Sequence, residues 1–77
     1  MDITVYMTKI CPYCQAQKKF LRENNIEFEE IDILKDRAAA KMVREASEKL
    51  ILPQTRINDK LILGFKEDEL KRELGLK

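Results

Sequence analysis

Two cysteines stand three positions apart in Cys11-Pro12-Tyr13-Cys14, and the chain has no others. A dithiol of this spacing can attack a disulfide with one sulfur and release the product with the other. Where the pair sits decides whether it is reactive. Upstream, Ile3-Thr4-Val5-Tyr6 is β-branched and aromatic, which predicts a strand over residues 2–7. Pro12 suits the first turn of a helix, where its missing N–H costs nothing. A thiol at that junction faces unpaired backbone N–H groups and the positive end of the helix dipole, and both favour the thiolate. Lys9 adds positive charge two residues before Cys11. Cys11, at the helix mouth, is therefore expected to be the nucleophile. Cys14, one turn further in and more shielded, is expected to resolve the mixed disulfide.

Three other readings compete with this one. Free cysteines are often inert core residues. Structural zinc needs four ligands, and the chain has no histidine and no third cysteine, so no metal is assigned. Short copper chaperones also place two cysteines after a first strand, but with methionine two residues before the first. Here Lys9 holds that place, and their βαββαβ order differs from the one read below.

The elements that position the pair follow from periodicity. Tyr13, Gln17, Phe20, Leu21 and Asn24 recur at helical spacing, and Asn24-Asn25 is a left-handed stop. Phe28, Ile31 and Ile33 mark a second strand over 27–33. Asp36 caps a second helix whose Ala39, Met42, Val43, Ala46 and Leu50 form one stripe. Pro53 either stops that helix or opens a strand facing the cysteines. Gln54–Ile57 and Lys60–Leu63 read as a hairpin about Asn58-Asp59, and Leu70 and Leu74 lie on a last helix over 67–74. The order is βαβαββα, an α/β chain with a mixed four-stranded sheet flanked by helices.

Composition bounds what such a chain can be. Its 77 residues predict one domain over 1–77, burying only about 60% of its unfolded surface. A net charge of +1 gives no case for nucleic acid or an anionic membrane. The 38% charged fraction, with only two glycines, would suit a heat-adapted protein. Aliphatic runs such as Leu50-Ile51-Leu52 stop at three residues, far short of a membrane span. Residues 2–6 lack the basic start and apolar stretch of a secretory signal, so the expected location is cytoplasmic. In that reducing compartment two cysteines do not read as a structural staple.

Val5-Tyr6, Cys11-Pro12-Tyr13-Cys14, Pro53-Gln54, Ile57-Asn58-Asp59 and Gly64 together resemble the glutaredoxin family over nearly the whole chain. The resemblance implies a thioredoxin-like fold, a cis proline at Pro53, and a CPYC dithiol that reduces protein or small-molecule disulfides. Electron transport and cell redox homeostasis are the processes it implies. No cofactor is needed, because the electrons sit in the sulfurs, and the chain is expected to act as a monomer. Substrate contacts fall on Lys9, Pro12, Tyr13, Ile51, Leu52, Pro53, Gly64 and Phe65. Of these, Tyr13 either shapes the surface beside Cys11 or packs on the first helix, and Ile51 to Pro53 line a shallow groove that docks an extended segment by main-chain bonds.

The chain departs from the family where glutathione binds. The family lysine three residues before the first cysteine is Thr8 here, its Thr-Val-Pro is Ile51-Leu52-Pro53, and its Gly-Gly is Leu63-Gly64. The acidic pair that follows is Lys66-Glu67, with Asp68 one later. Gly64-Phe65-Lys66-Glu67-Asp68 is similar instead to a Gly-Phe-Arg-Pro-Asp stretch of the glutaredoxin-like hydrogen donors of ribonucleotide reductase. Those proteins are fed by thioredoxin reductase and handle glutathione poorly. Either glutathione or a thioredoxin-reductase-type enzyme is thus the implied donor. A non-catalytic alternative has two chains sharing an iron–sulfur cluster through Cys11, usually with glutathione as further ligand. Pro12 and the altered glutathione contacts argue against it.

Overall fold

The computed structural model describes residues 2–46 and 50–76. Ile3–Met7 forms β1, Pro12–Glu23 α1, Glu29–Asp32 β2 and Arg37–Glu45 α2; Gln54–Ile57 forms β3, Lys60–Leu63 β4 and Glu67–Leu74 α3. The sheet runs β2-β1-β3-β4, with β1 parallel to β2 and antiparallel to β3, and β3 antiparallel to β4. This is the thioredoxin-like arrangement the sequence implied, with an α/β mixed sheet and three helices.

Alternation along β1 divides the core. Ile3, Val5 and Met7 face α1 and α3, packing with Cys14, Leu21, Ile57, Ile62 and Leu70. Tyr6 points the other way and meets Ile33, Ala39 and Val43 under α2. Two buried amides fasten the layers. Gln17 on α1 donates to the Thr55 hydroxyl, and Gln54 on β3 donates to the Val43 carbonyl at 2.9 Å.

Local chemistry sets the ends of the elements. Asn25 takes φ +58°, and the Ile26 N–H reaches back to the Leu21 carbonyl at 2.9 Å, closing α1 with a left-handed residue. The Asp36 carboxylate accepts the Ala39 N–H at 3.0 Å and starts α2. Asn58, at φ +53°, turns the β3–β4 hairpin. Among the described residues, no helix is long and apolar enough to cross a membrane.

Three expected elements are shorter in the structure, the first strand by one residue, since it begins at Ile3. The second strand covers Glu29–Asp32 rather than 27–33. Asp32 ends it by accepting the Leu34 N–H on its side chain at 2.9 Å and the Lys35 N–H on its carbonyl at 3.0 Å. Phe28 and Ile33 flank the strand and still pack into the core. The α2 stripe is also truncated. Its nine residues bring only Ala39 and Val43 fully onto the sheet, with Met42 half-buried beside them. Ala46 is the exposed C-cap and Leu50 is 51% exposed, so neither extends the stripe. The intervening residues 47–49, which the stripe also spanned, lie outside the described residues.

Candidate active site at the mouth of the first helix

Cys11 is the N-cap of α1, with φ −100° and ψ 110°. An extended backbone there turns its side chain back over the first turn, and Cys11 Sγ accepts the Cys14 N–H at 3.1 Å. The Cys11 carbonyl meanwhile accepts the Gln15 N–H at 3.1 Å, the first bond of the helix. Pro12 follows at N1 and is exposed. A sulfur that caps a helix accepts hydrogen bonds better as an anion than as a thiol.

Cys14 has a different environment. It has no exposed surface and packs with Val5, Met7 and Leu21, whereas Cys11 is half-buried at the edge of the same cluster. Burial, the largest influence, pushes the Cys14 thiol up to about 12, and its hydrogen bond and charge interaction with Cys11 add to that. A backbone bond from Thr8 and the charge of Lys18 act in the opposite direction.

Strand pairing brings the proline to the same end of the sheet. The register Tyr6↔Gln54 sets the exit of β1 beside the entry to β3, so the chain leading into Cys11 and the chain leading out of Pro53 are neighbours. The Leu52–Pro53 bond is cis, as the resemblance implied. Leu52 touches the core clusters on both faces, including the one that holds the two cysteines. The Pro53 carbonyl accepts the Gly64 N–H at 2.8 Å. Gly64 has φ +84°, and a Cβ there would stand 3.7 Å from Ile51 Cγ2. Ile51, 36% exposed, and Gly64 are therefore neighbours at the surface, while Pro53 is fully buried beneath them.

The remaining candidates are less tightly gathered. Tyr13 is 68% exposed on the helix beside Cys11. Lys9 is exposed, and its carbonyl accepts a bond from the Gln15 side chain at 3.4 Å. Phe65 turns inward, edge-on to Phe20 with ring centroids 6.1 Å apart. Sequence reasoning passed over two residues. Ile10, 84% exposed next to Cys11, adds apolar surface to the rim. Lys18 lies on the buried face of α1, four residues after Cys14, and that offset was the available signal.

Comparison with known proteins matches this geometry to one group. The family model described as Glutaredoxin matches residues 3–62. A glutaredoxin-like 8.6 kDa protein in a rubredoxin operon of Clostridium pasteurianum is 29% identical over 70 residues, which is 91% of this chain and 93% of that one. A variant of the thioredoxin-like protein BC3987 superimposes with a TM-score of 0.89 at 32% identity, covering 99% of this chain and 97% of the other. The glutaredoxin-like protein NrdH-redoxin from Escherichia coli gives a TM-score of 0.86 at 29% identity, over 94% and 93%.

Proposed function

The chain belongs to the glutaredoxin family, and from that premise we propose that it is a thiol–disulfide oxidoreductase working through the Cys11/Cys14 couple. The observation that carries this reading is the asymmetry of the pair: Cys11 Sγ caps the helix at 3.1 Å from the Cys14 nitrogen, while Cys14 is wholly buried behind it. Cys11 as thiolate attacks one sulfur of a substrate disulfide, whose S–S bond breaks and whose other sulfur leaves as a thiolate. Cys14 then loses its proton, attacks Cys11 Sγ and expels the bound substrate sulfur as a second thiolate. Two electrons pass to the substrate, and the chain is left with a Cys11–Cys14 disulfide. Ile51 and Leu52 guide an extended substrate segment to Cys11, with Pro53 buried behind them, and Tyr13 and Lys9 border it.

The donor that reduces this disulfide is a thioredoxin-reductase-type enzyme in preference to glutathione. Each charge-assisted bond to a glutathione carboxylate contributes about 1.5–3 kcal/mol, so losing two weakens binding by orders of magnitude. Thr8 is buried and uncharged, Ile51 has no hydroxyl, and the Lys66 ammonium sits 3.8 Å from Glu69. Lys9 is displaced by one residue from the family position, which turns its side chain in another direction. Likeness to NrdH-redoxin, a glutaredoxin-like protein with a thioredoxin-like activity profile, supports the same choice. The test is steady-state reduction of one common disulfide with each donor system at matched concentration. Faster turnover with thioredoxin reductase is expected, and Cys11→Ser is expected to be inactive with both. Efficient, saturable turnover with glutathione would reject the donor assignment, and activity in Cys11→Ser would reject the oxidoreductase reading.

A further inference from the structure

A lysine on the buried face of a helix needs a partner for its ammonium, because an unpaired buried charge is strongly disfavoured. Lys18 is only 8% exposed, and its Nζ lies 3.6 Å from Glu30 Oε1 on β2. The same oxygen accepts a shorter, 2.8 Å bond from Arg22 Nη2. Among the described residues, one carboxylate is thus divided between two cations, which leaves the three groups with one net positive charge. Among the described residues, the elements packed around this face offer little else. β1 presents Val5 and Met7, β3 presents Thr55, and α3 contributes Leu70 and Leu74. On α1 itself the ionisable neighbours one turn away are Cys14 on one side and Arg22, which shares Glu30, on the other. Residues four apart on a helix have Cβ atoms about 5–6 Å from each other.

We propose that Lys18 is a positioning residue for the resolving step, its ammonium stabilising the Cys14 thiolate as that sulfur attacks Cys11 Sγ. This rests on the oxidoreductase reading above. In the step, the Cys14 S–H proton passes to solvent, the Cys14–Cys11 S–S bond forms, and the bond from Cys11 to the substrate sulfur breaks. That substrate sulfur departs as a thiolate. Lys18 keeps its proton throughout and supplies only charge. Its influence on Cys14 opposes that of burial, which is the larger. Cys14 therefore waits as a thiol, and the cation reduces the penalty of ionising it where water cannot help. Glu30 limits the effect by holding part of the ammonium's charge.

Rapid mixing of the reduced protein with an aromatic disulfide that releases a coloured thiolate separates the two steps. The first burst of colour reports attack by Cys11, and the second reports resolution by Cys14. Lys18→Gln is expected to keep the first phase within about twofold and slow the second about tenfold, with its pH rise moved to higher pH. Lys18→Arg is expected to restore the second phase. An unchanged second phase in Lys18→Gln would overturn the proposal, as would equal slowing of both phases. Slowing in both Lys18→Gln and Lys18→Arg would assign the effect to packing and overturn it too. Absence of the first phase in the wild type would instead reject the oxidoreductase reading itself.

Discussion

At the scale of single residues, two cysteines one helical turn apart are made unlike by their surroundings. Cys11 caps the helix and reaches the surface, while Cys14 is enclosed by Val5, Met7 and Leu21. A thiol raised by burial from 9.0 to about 12 keeps its proton in the folded chain at pH values where the unfolded chain has lost it. The unfolded state then binds fewer protons, so stability falls as pH climbs from about 9 toward 12, by up to about 1.4 kcal/mol per pH unit. Chemical unfolding of the reduced protein across that range is expected to show this loss, and Cys14→Ser to show a shallower one. Equal slopes would mean that Cys14 ionises as freely folded as unfolded. The cysteine pair was legible in the sequence because its spacing and its proline are local. Lys18 was legible only as an offset of four from Cys14, because its ion pair depends on Glu30, which the parallel register Val5↔Glu30 sets beside β1.

At the scale of elements, β3, β4 and α3 fall where turn residues and periodicity placed them, because Asn58 and Gly64 punctuate the chain at positions of positive φ. β2 and α2 are shorter than their apolar patterns. Phe28 and Ile33 are core residues without being strand residues, and periodicity alone does not separate the two. In α2 the start was readable from Asp36, but the end was not. The apolar Ala46 and Leu50 kept the helical period beyond the last turn while remaining exposed. The cap makes a direct prediction. Asp36→Ala is expected to cost about 1 kcal/mol of stability, read as a lower denaturant midpoint at unchanged slope. Asp36→Asn is expected to recover most of it, since the amide oxygen can still accept the Ala39 N–H. A loss just as large in Asp36→Asn would place the effect in charge rather than in the hydrogen bond.

At the scale of the whole molecule, the sheet order makes the site. β1 in the centre pairs with β3, so the chain leaves β1 toward Cys11 and enters β3 from Pro53 at one end of the sheet. Helices on both faces, tied down by Gln17 and Gln54, hold that end closed underneath. Both parts were visible in the sequence as motifs, but only pairing makes them one surface. The electron donor was less legible, since it turns on a few charges whose directions depend on single-residue offsets at Thr8 and Lys66. The redox role is tested most directly by intact-mass spectrometry of the two single-cysteine variants after exposure to a small disulfide. Cys14→Ser is expected to gain one substrate half through Cys11 and to lose it on addition of a dithiol, while Cys11→Ser stays unmodified. An adduct on Cys11→Ser with none on Cys14→Ser would contradict the assignment of nucleophile and resolving thiol.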